Sequence, residues 1–161
     1  MTRVAILTLS DKGAAGDRPD TSGDRIAGRV TEAGHEVTAR EMLPDDREAI
    51  ATRLREWADH HVAEIVITTG GTGLTERDIT PEATRDVAER DVPGIVTAFH
   101  IEGIKKTPYA ILSRGVAVTR RSTLIVNLPG SPRGVDDGLD ILLPIIPHIA
   151  ELLTGPVEHN P

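Results

Sequence analysis

Apolar positions follow two rhythms along the 161-residue chain. Short Val/Ile/Leu-rich runs, beginning with Val4 to Leu9, alternate with longer stretches in which apolar residues recur every three or four positions. The first rhythm suits strands buried on both faces, the second one face of a helix. Further extended segments are expected at His35 to Met42, Glu64 to Thr69, Tyr109 to Ser113, Val116 to Thr119 and Thr123 to Leu128. One helix carries Ile26, Val30 and Ala33 on a common face, with Thr21 or Ser22 as its cap and Gly34 as its stop. A second places Ile50, Leu54, Trp57, Ala58 and His61 on one side, and others begin near Pro81 and Pro93. The closing segment has Val135, Leu139, Leu142, Ile146, Ile149 and Leu153 at helical spacing, with Pro144 and Pro147 set to kink or split it. The stretch DKGAAGDRPD is glycine-rich, charged and without period, and reads as a loop.

Strand and helix alternating in this way predict an α/β sandwich with a largely parallel sheet and right-handed crossovers. The length suits one domain over residues 1–161, with 155–161 a frayed tail. Ligands of such folds bind outside the carboxyl ends of the strands. Two glycine-bearing loops follow strands here, TGGTG and NLPGSP.

Composition narrows the chemistry. The chain has no cysteine, which removes disulfides, thiolate metal sites and thiol nucleophiles, and its six histidines do not cluster. A net charge of −7 with no basic patch argues against nucleic acid as a partner. No apolar run reaches the ~20 residues of a membrane span. MTRVAILTLSD does not read as a signal peptide, so a cytoplasmic location is expected.

The chemistry concentrates in TTGGTGLTERDITPE, residues 68 to 82. Gly70, Gly71 and Gly73 clear side chains from the exit of a strand, so backbone N–H groups can surround an anion. A tight turn needing positive φ is the alternative. The loop is neither GxGxxG nor a P-loop, and no GxSxG elbow is present. Asp78 is out of place beside an anion: at about 4 Å and an effective dielectric of 20 the two charges repel by about 4 kcal/mol. A magnesium ion would reverse that sign, because Mg²⁺ binds through one or two carboxylates together with substrate phosphates. Otherwise Asp78 forms an Asx turn ahead of the Thr80–Pro81 helix start. Asp45, with Glu48 three residues on, reads from spacing alone as a capping box.

TTGGTGLTERDITPEAT, PYAILSRG and LIVNLPGSPRGV together resemble the molybdopterin adenylyltransferase family of the MogA/MoaB type, and the resemblance runs from VAILTLSD to the last helix. It implies a three-layer α/β/α molybdopterin-binding fold. It also implies ATP and molybdopterin as substrates, Mg²⁺ as cofactor, a homotrimer that can pair into a hexamer, and transient contact with other cofactor-assembly enzymes. The implied reaction joins the terminal phosphate of molybdopterin to the α-phosphorus of ATP, giving adenylyl-molybdopterin and pyrophosphate. By the same matching Asp45 and Asp78 become the catalytic and metal-holding acids, and Thr69, Gly70, Gly71, Thr72 and Gly73 line the anion site. Ser113, Asn127, Pro129, Gly130, Ser131 and Pro132 are implied to line the pterin and nucleotide pocket. From the residues themselves Ser113 is equally a strand-end hydroxyl, Pro129–Gly130 a type II turn and Ser131–Pro132 a helix cap. Arg77, Lys105, Lys106 and Arg114 are candidate counter-charges. Glu76 stands where relatives often carry proline or a basic residue. Two rivals remain at this point, a pterin-binding carrier without turnover and a nucleotide-binding regulator unrelated to pterins.

Overall fold

The computed structural model describes residues 1–155. It contains β1 (Arg3–Leu9), α1 (Asp11–Ala14), α2 (Thr21–Glu32), β2 (Glu36–Leu43), α3 (Arg47–Asp59), β3 (Ile65–Thr69), α4 (Thr80–Val87), β4 (Arg90–Asp91) and α5 (Pro93–Ile104). A 3-10 turn (Pro108–Leu112), β5 (Ala117–Arg120), β6 (Thr123–Leu128), α6 (Pro132–Leu142), a second 3-10 turn (Leu143–Ile145) and α7 (Ile146–Thr154) complete the chain. Apart from Gly155, the frayed tail expected at the C-terminus lies outside the described residues.

The strands form one sheet in the order β2-β1-β3-β6-β5-β4. β2, β1, β3 and β6 run parallel, while β5 and β4 are antiparallel additions at one edge. Alternate residues of each parallel strand feed two separate cores, as the pleat demands. Val4, Ile6, Ile65 and Ile67 pack with Ile26 and Val30 of α2 and Val135, Leu139 and Leu142 of α6. Ala5, Leu7 and Val66 point the other way, onto Ile50, Leu54 and Trp57 of α3 and Ala83 of α4. The expected layered α/β/α architecture therefore holds. Because β2 lies on one side of β1 and β3 on the other, the strand order reverses at β1, the position at which folds of this class bind ligands.

Several local expectations change. Asp20, rather than Thr21 or Ser22, caps α2, its Oδ1 accepting from Gly23 N–H at 2.9 Å. Gly34 does end that helix segment, at φ 83°. Part of DKGAAGDRPD forms α1, because Ser10 Oγ accepts from Gly13 N–H and nucleates a short turn. Tyr109 to Ser113 is no strand: Thr107 caps a 3-10 turn with Pro108 at its start, a signal that outweighs the β propensity of Tyr and Ile. His61 leaves the α3 face, since the helix stops at Asp59 and His61 takes φ 52°. Gly130 does not take positive φ, so Pro129–Gly130 is not a type II turn. The splitting of the last helix at its prolines is as expected. Among the described residues no helix is long and apolar enough to cross a membrane.

Candidate functional site

Residues 70 to 79 leave β3 at the carboxyl end of the sheet and return to start α4. Gly70 and Gly71 hold φ of 94° and 67°, which side chains resist. The carbonyls of this bend are tied from outside. Thr80 Oγ1 donates to Gly70 O at 3.0 Å and Thr80 N–H to Gly71 O at 3.1 Å. Arg114 N–H donates to Thr72 O and Arg114 Nε to Gly73 O, both at 2.8 Å. The N–H groups of Gly71, Thr72 and Gly73 find no acceptor among the described residues. A bend with its carbonyls turned away and its amides open is suited to an anion.

The NLPGSP loop seats against this bend. Gly70 N–H donates to Leu128 O at 3.1 Å, and Thr69 Oγ1 to Pro129 O at 2.8 Å. A Cβ on Gly130 would stand 3.4 Å from Gly70 Cα. Ser131 caps α6, accepting from Gly134 N–H at 3.1 Å, with Pro132 as the first helical residue. Asn127 is buried beneath the loops, its amide donating to Thr68 and Thr84 hydroxyls and accepting from Val116 N–H. The Ser113 hydroxyl lies 3.3 Å from Thr72 Oγ1, tying the 3-10 turn to the glycine bend.

Two acids flank the bend. Asp46, and not Asp45, caps α3, its Oδ1 accepting from Ala49 N–H at 2.8 Å. The expected capping box does not form: the cap falls one residue later, with Ala49 at the third helical position, which releases Asp45. A Cβ on Gly71 would meet Asp45 Oδ1 at 3.1 Å, and one on Gly73 would meet Asp78 Oδ2 at 2.8 Å. Asp45 Oδ1 is buried without any hydrogen-bond partner among the described residues. Burial, and then the neighbouring Asp11 charge, push the Asp45 carboxyl above its ordinary pKa. Asp78 does not make a forward Asx turn. Its Oδ2 instead accepts backward from Thr75 N–H at 2.9 Å and Thr75 Oγ1 at 2.8 Å.

Asp11 at the end of β1 joins this group. Its Oδ1 accepts the Asp45 backbone N–H at 2.9 Å, and Arg77 Nη2 holds both of its oxygens at 2.8 Å. That guanidinium keeps Asp11 below the usual carboxylate range. The four nominated cations are all paired within the chain: Arg77 with Asp11, Lys105 with Glu102, Lys106 with Asp137 and Arg114 with Glu82. Arg114 also donates to Asp78 O at 2.7 Å, so it braces the bend from behind. Arg133, outside the residues expected from sequence, lines the cleft and has no acidic partner among the described residues. Its place directly after NLPGSP is the signal that would have found it.

A cleft of about 620 Å³ runs from the bend between α5 and α6. Gly70, Gly71, Gly73, Asp78, Ser113, Asn127, Pro129, Gly130 and Ser131 line it, together with the apolar side chains of Val96, Phe99 and Leu112. Thr69, Thr72, Pro132 and Asp45 sit behind or beside that lining. The volume lies within the range of small-molecule sites, about 300–1,000 Å³.

Residues 5–148 match the family model described as "Probable molybdopterin binding domain". The chain is 36% identical over 154 residues to a molybdopterin adenylyltransferase of Helicobacter pylori, covering 94% of this chain and 88% of the relative. It is 37% identical over 155 residues to the molybdenum cofactor synthesis protein cinnamon of Drosophila melanogaster, of which it spans 26%. Among solved structures it resembles the molybdopterin biosynthesis enzyme MoaB of Thermus thermophilus, with a TM-score of 0.90, 48% identity, and 97% and 98% of the two chains covered. A sheet that reverses at β1, a glycine bend at that reversal and a family match over most of the sequence agree, and this chain belongs to the molybdopterin-binding domain family of molybdenum cofactor biosynthesis.

Proposed function

We propose that this protein transfers AMP from ATP to the terminal phosphate of molybdopterin, releasing pyrophosphate. The observation that carries the reading is the bend of open amides, flanked by Asp45 and Asp78, at one end of a cleft of small-molecule size. The relatives named molybdopterin adenylyltransferase, similar over nearly the whole chain, favour turnover over a carrier that only binds.

The reaction needs no nucleophilic side chain. A phosphate monoester, with a second pKa of about 6, is mostly dianionic at neutral pH and attacks the α-phosphorus itself. A P–O bond forms there as the α–β anhydride bond breaks and pyrophosphate carries away the electron pair. The protein's share is to align the two phosphates and stabilise their charge. The amides of Gly71, Thr72 and Gly73 would receive phosphate oxygens, and Arg133 would stand as counter-charge within the cleft.

The acids fit a magnesium ion. Asp45 Oδ1 is buried and lacks a donor, and Asp78 offers its Oδ1 to no protein group among the described residues. A cation held by two carboxylates together with substrate phosphates needs no larger protein cage. When bound, Mg²⁺ neutralises triphosphate charge and polarises the α-phosphorus.

The homotrimer has a candidate face in α5 and the turn that follows, where Ile101, Ile104 and Ile111 remain about half exposed. Light scattering on the purified protein reports its mass directly. Pyrophosphate release from ATP on addition of molybdopterin and Mg²⁺ tests the reaction: binding of both substrates without release would leave the carrier reading in its place.

A further inference from the structure

Among the described residues two acids line the cleft, and the glycine bend accounts for one of them, Asp78. The other, Asp137, belongs to α6. Its neighbours Asp136 and Asp140 share a different face of that helix, where Arg25 and Arg29 of α2 hold them. Asp137 instead faces the cleft with its side chain 18% exposed, and Lys106 pairs with its Oδ1. Lys106 is not itself on the lining and bonds Oδ1, while Oδ2 accepts from no group among the described residues.

The surroundings suit a flat ring. Gly134 and Gly138 border Asp137 on α6, and Gly103 of α5 also lines the cleft. A Cβ on Gly103 would come within 2.7 Å of Ala110 Cβ, and one on Gly134 within 2.6 Å of Pro129 Cγ, so both walls are packed to the backbone. Phe99 and Val96 supply apolar faces to the same space.

Resting on the molybdopterin reading above, we infer that the Asp137 carboxylate recognises the 2-amino-4-oxo edge of the pterin ring and thereby keeps adenine out of that position. The pterin edge presents two adjacent donors, the ring N3–H and the exocyclic amino group. A carboxylate presents two acceptor oxygens side by side, so both bonds form, each assisted by charge. Adenine sets a donor amino group beside an acceptor ring nitrogen. One carboxylate oxygen then meets a lone pair, and a polar group loses its water without gaining a partner. Discrimination by such a mismatch exceeds what ring shape alone provides, since the two heterocycles differ little in size.

The test uses two fluorescent rings that differ at one atom of this edge. Pterin carries the amino group, and lumazine carries a carbonyl oxygen there. Their binding is titrated for wild type, Asp137→Asn and Lys106→Gln, with ATP affinity and melting temperature measured alongside. Wild type should prefer pterin by about tenfold or more. Asp137→Asn should lose that preference, its pterin affinity falling about tenfold while ATP affinity stays put. Lys106→Gln removes the same ion pair but keeps the carboxylate, so its preference should persist. Equal losses in the two variants would assign Asp137 a merely structural part and overturn the inference, as would a preference that survives Asp137→Asn. A wild-type protein that binds pterin and lumazine alike would overturn the inference alone. One that binds ATP but neither ring would overturn the molybdopterin reading as well.

Discussion

Asp11 holds Asp45 by its backbone: the Asp45 N–H donates to Asp11 Oδ1 at 2.9 Å, while Asp45 Oδ1 is buried with no donor of its own. A residue fixed at the main chain with one carboxylate oxygen buried and unsatisfied is costly to maintain in the free protein. Its neighbour Asp46 carries the structural duty, capping α3 through Ala49 N–H at 2.8 Å.

The two adjacent aspartates should therefore separate stability from activity. Asp46→Ala is expected to cost about 1 kcal/mol in urea unfolding with turnover nearly unchanged. Asp45→Asn should leave α3 intact and slow adenylyl transfer by about a hundredfold or more. The reverse pattern would return Asp45 to the role of a cap.

The same carboxyl makes a prediction in pH. Burial raises its folded-state pKa above the unfolded value, so the native protein holds this proton more tightly than the unfolded chain. Stability is then free of penalty below the unfolded aspartate pKa of about 3.9, falls as pH climbs through the raised value, and carries the full penalty above it. Asp45→Asn lifts that penalty. The variant should melt above wild type near neutral pH, and the gap should close at about pH 3. A gap of constant size would show that charge is not its cause.

How much of this was legible beforehand depended on the range of the forces involved. Val4 to Leu9 and the α6 face were readable because burial imposes a period on many residues at once. The cap of α3 lies one residue beyond the one its spacing suggests, since Asp45 and Asp46 are chemically identical and only backbone dihedrals choose between them. The segment from Tyr109 reads as a strand from its β propensity, while the Thr107–Pro108 start makes it a 3-10 turn. Arg77 and Arg114 were candidates for substrate contact, but no local pattern reveals that Asp11 and Glu82, distant in sequence, already hold them. The glycine bend was legible as a turn leaving β3, whereas the ties on its carbonyls come from Thr80 and Arg114 and needed the fold.

Arg114 is expected to act through the shape of the bend. Its guanidinium reaches Gly73 O and Asp78 O while pairing with Glu82, a directional set that an ammonium cannot match. Arg114→Lys should raise KM for ATP about tenfold and speed amide exchange over residues 71–79, with exchange in β1 and β3 unchanged. Uniformly faster exchange would mean a global loss of stability instead.

Two glycines should respond to alanine with opposite signs. Gly71 sits at φ 67°, where an added Cβ would overlap the Thr80 hydroxyl, so Gly71→Ala should destabilise by at least about 1–2 kcal/mol. Gly28 lies inside α2 with nothing within 4 Å of an added Cβ, so Gly28→Ala should stabilise by about 0.5–1 kcal/mol. Chemical denaturation of both variants reads the two signs.

The central claim is that Asp45 and Asp78, set on either side of an open-amide bend, handle a metal-bound triphosphate during transfer to a pterin. A single-turnover assay with ATP labelled at the α-phosphate and molybdopterin, in wild type and Asp78→Asn, with pterin affinity measured in parallel, tests it most directly. The account predicts Mg²⁺-dependent label on the pterin in wild type, and a variant that binds pterin normally but transfers label about a hundredfold more slowly. Transfer at the wild-type rate by Asp78→Asn, or label moving equally well without Mg²⁺, would contradict it.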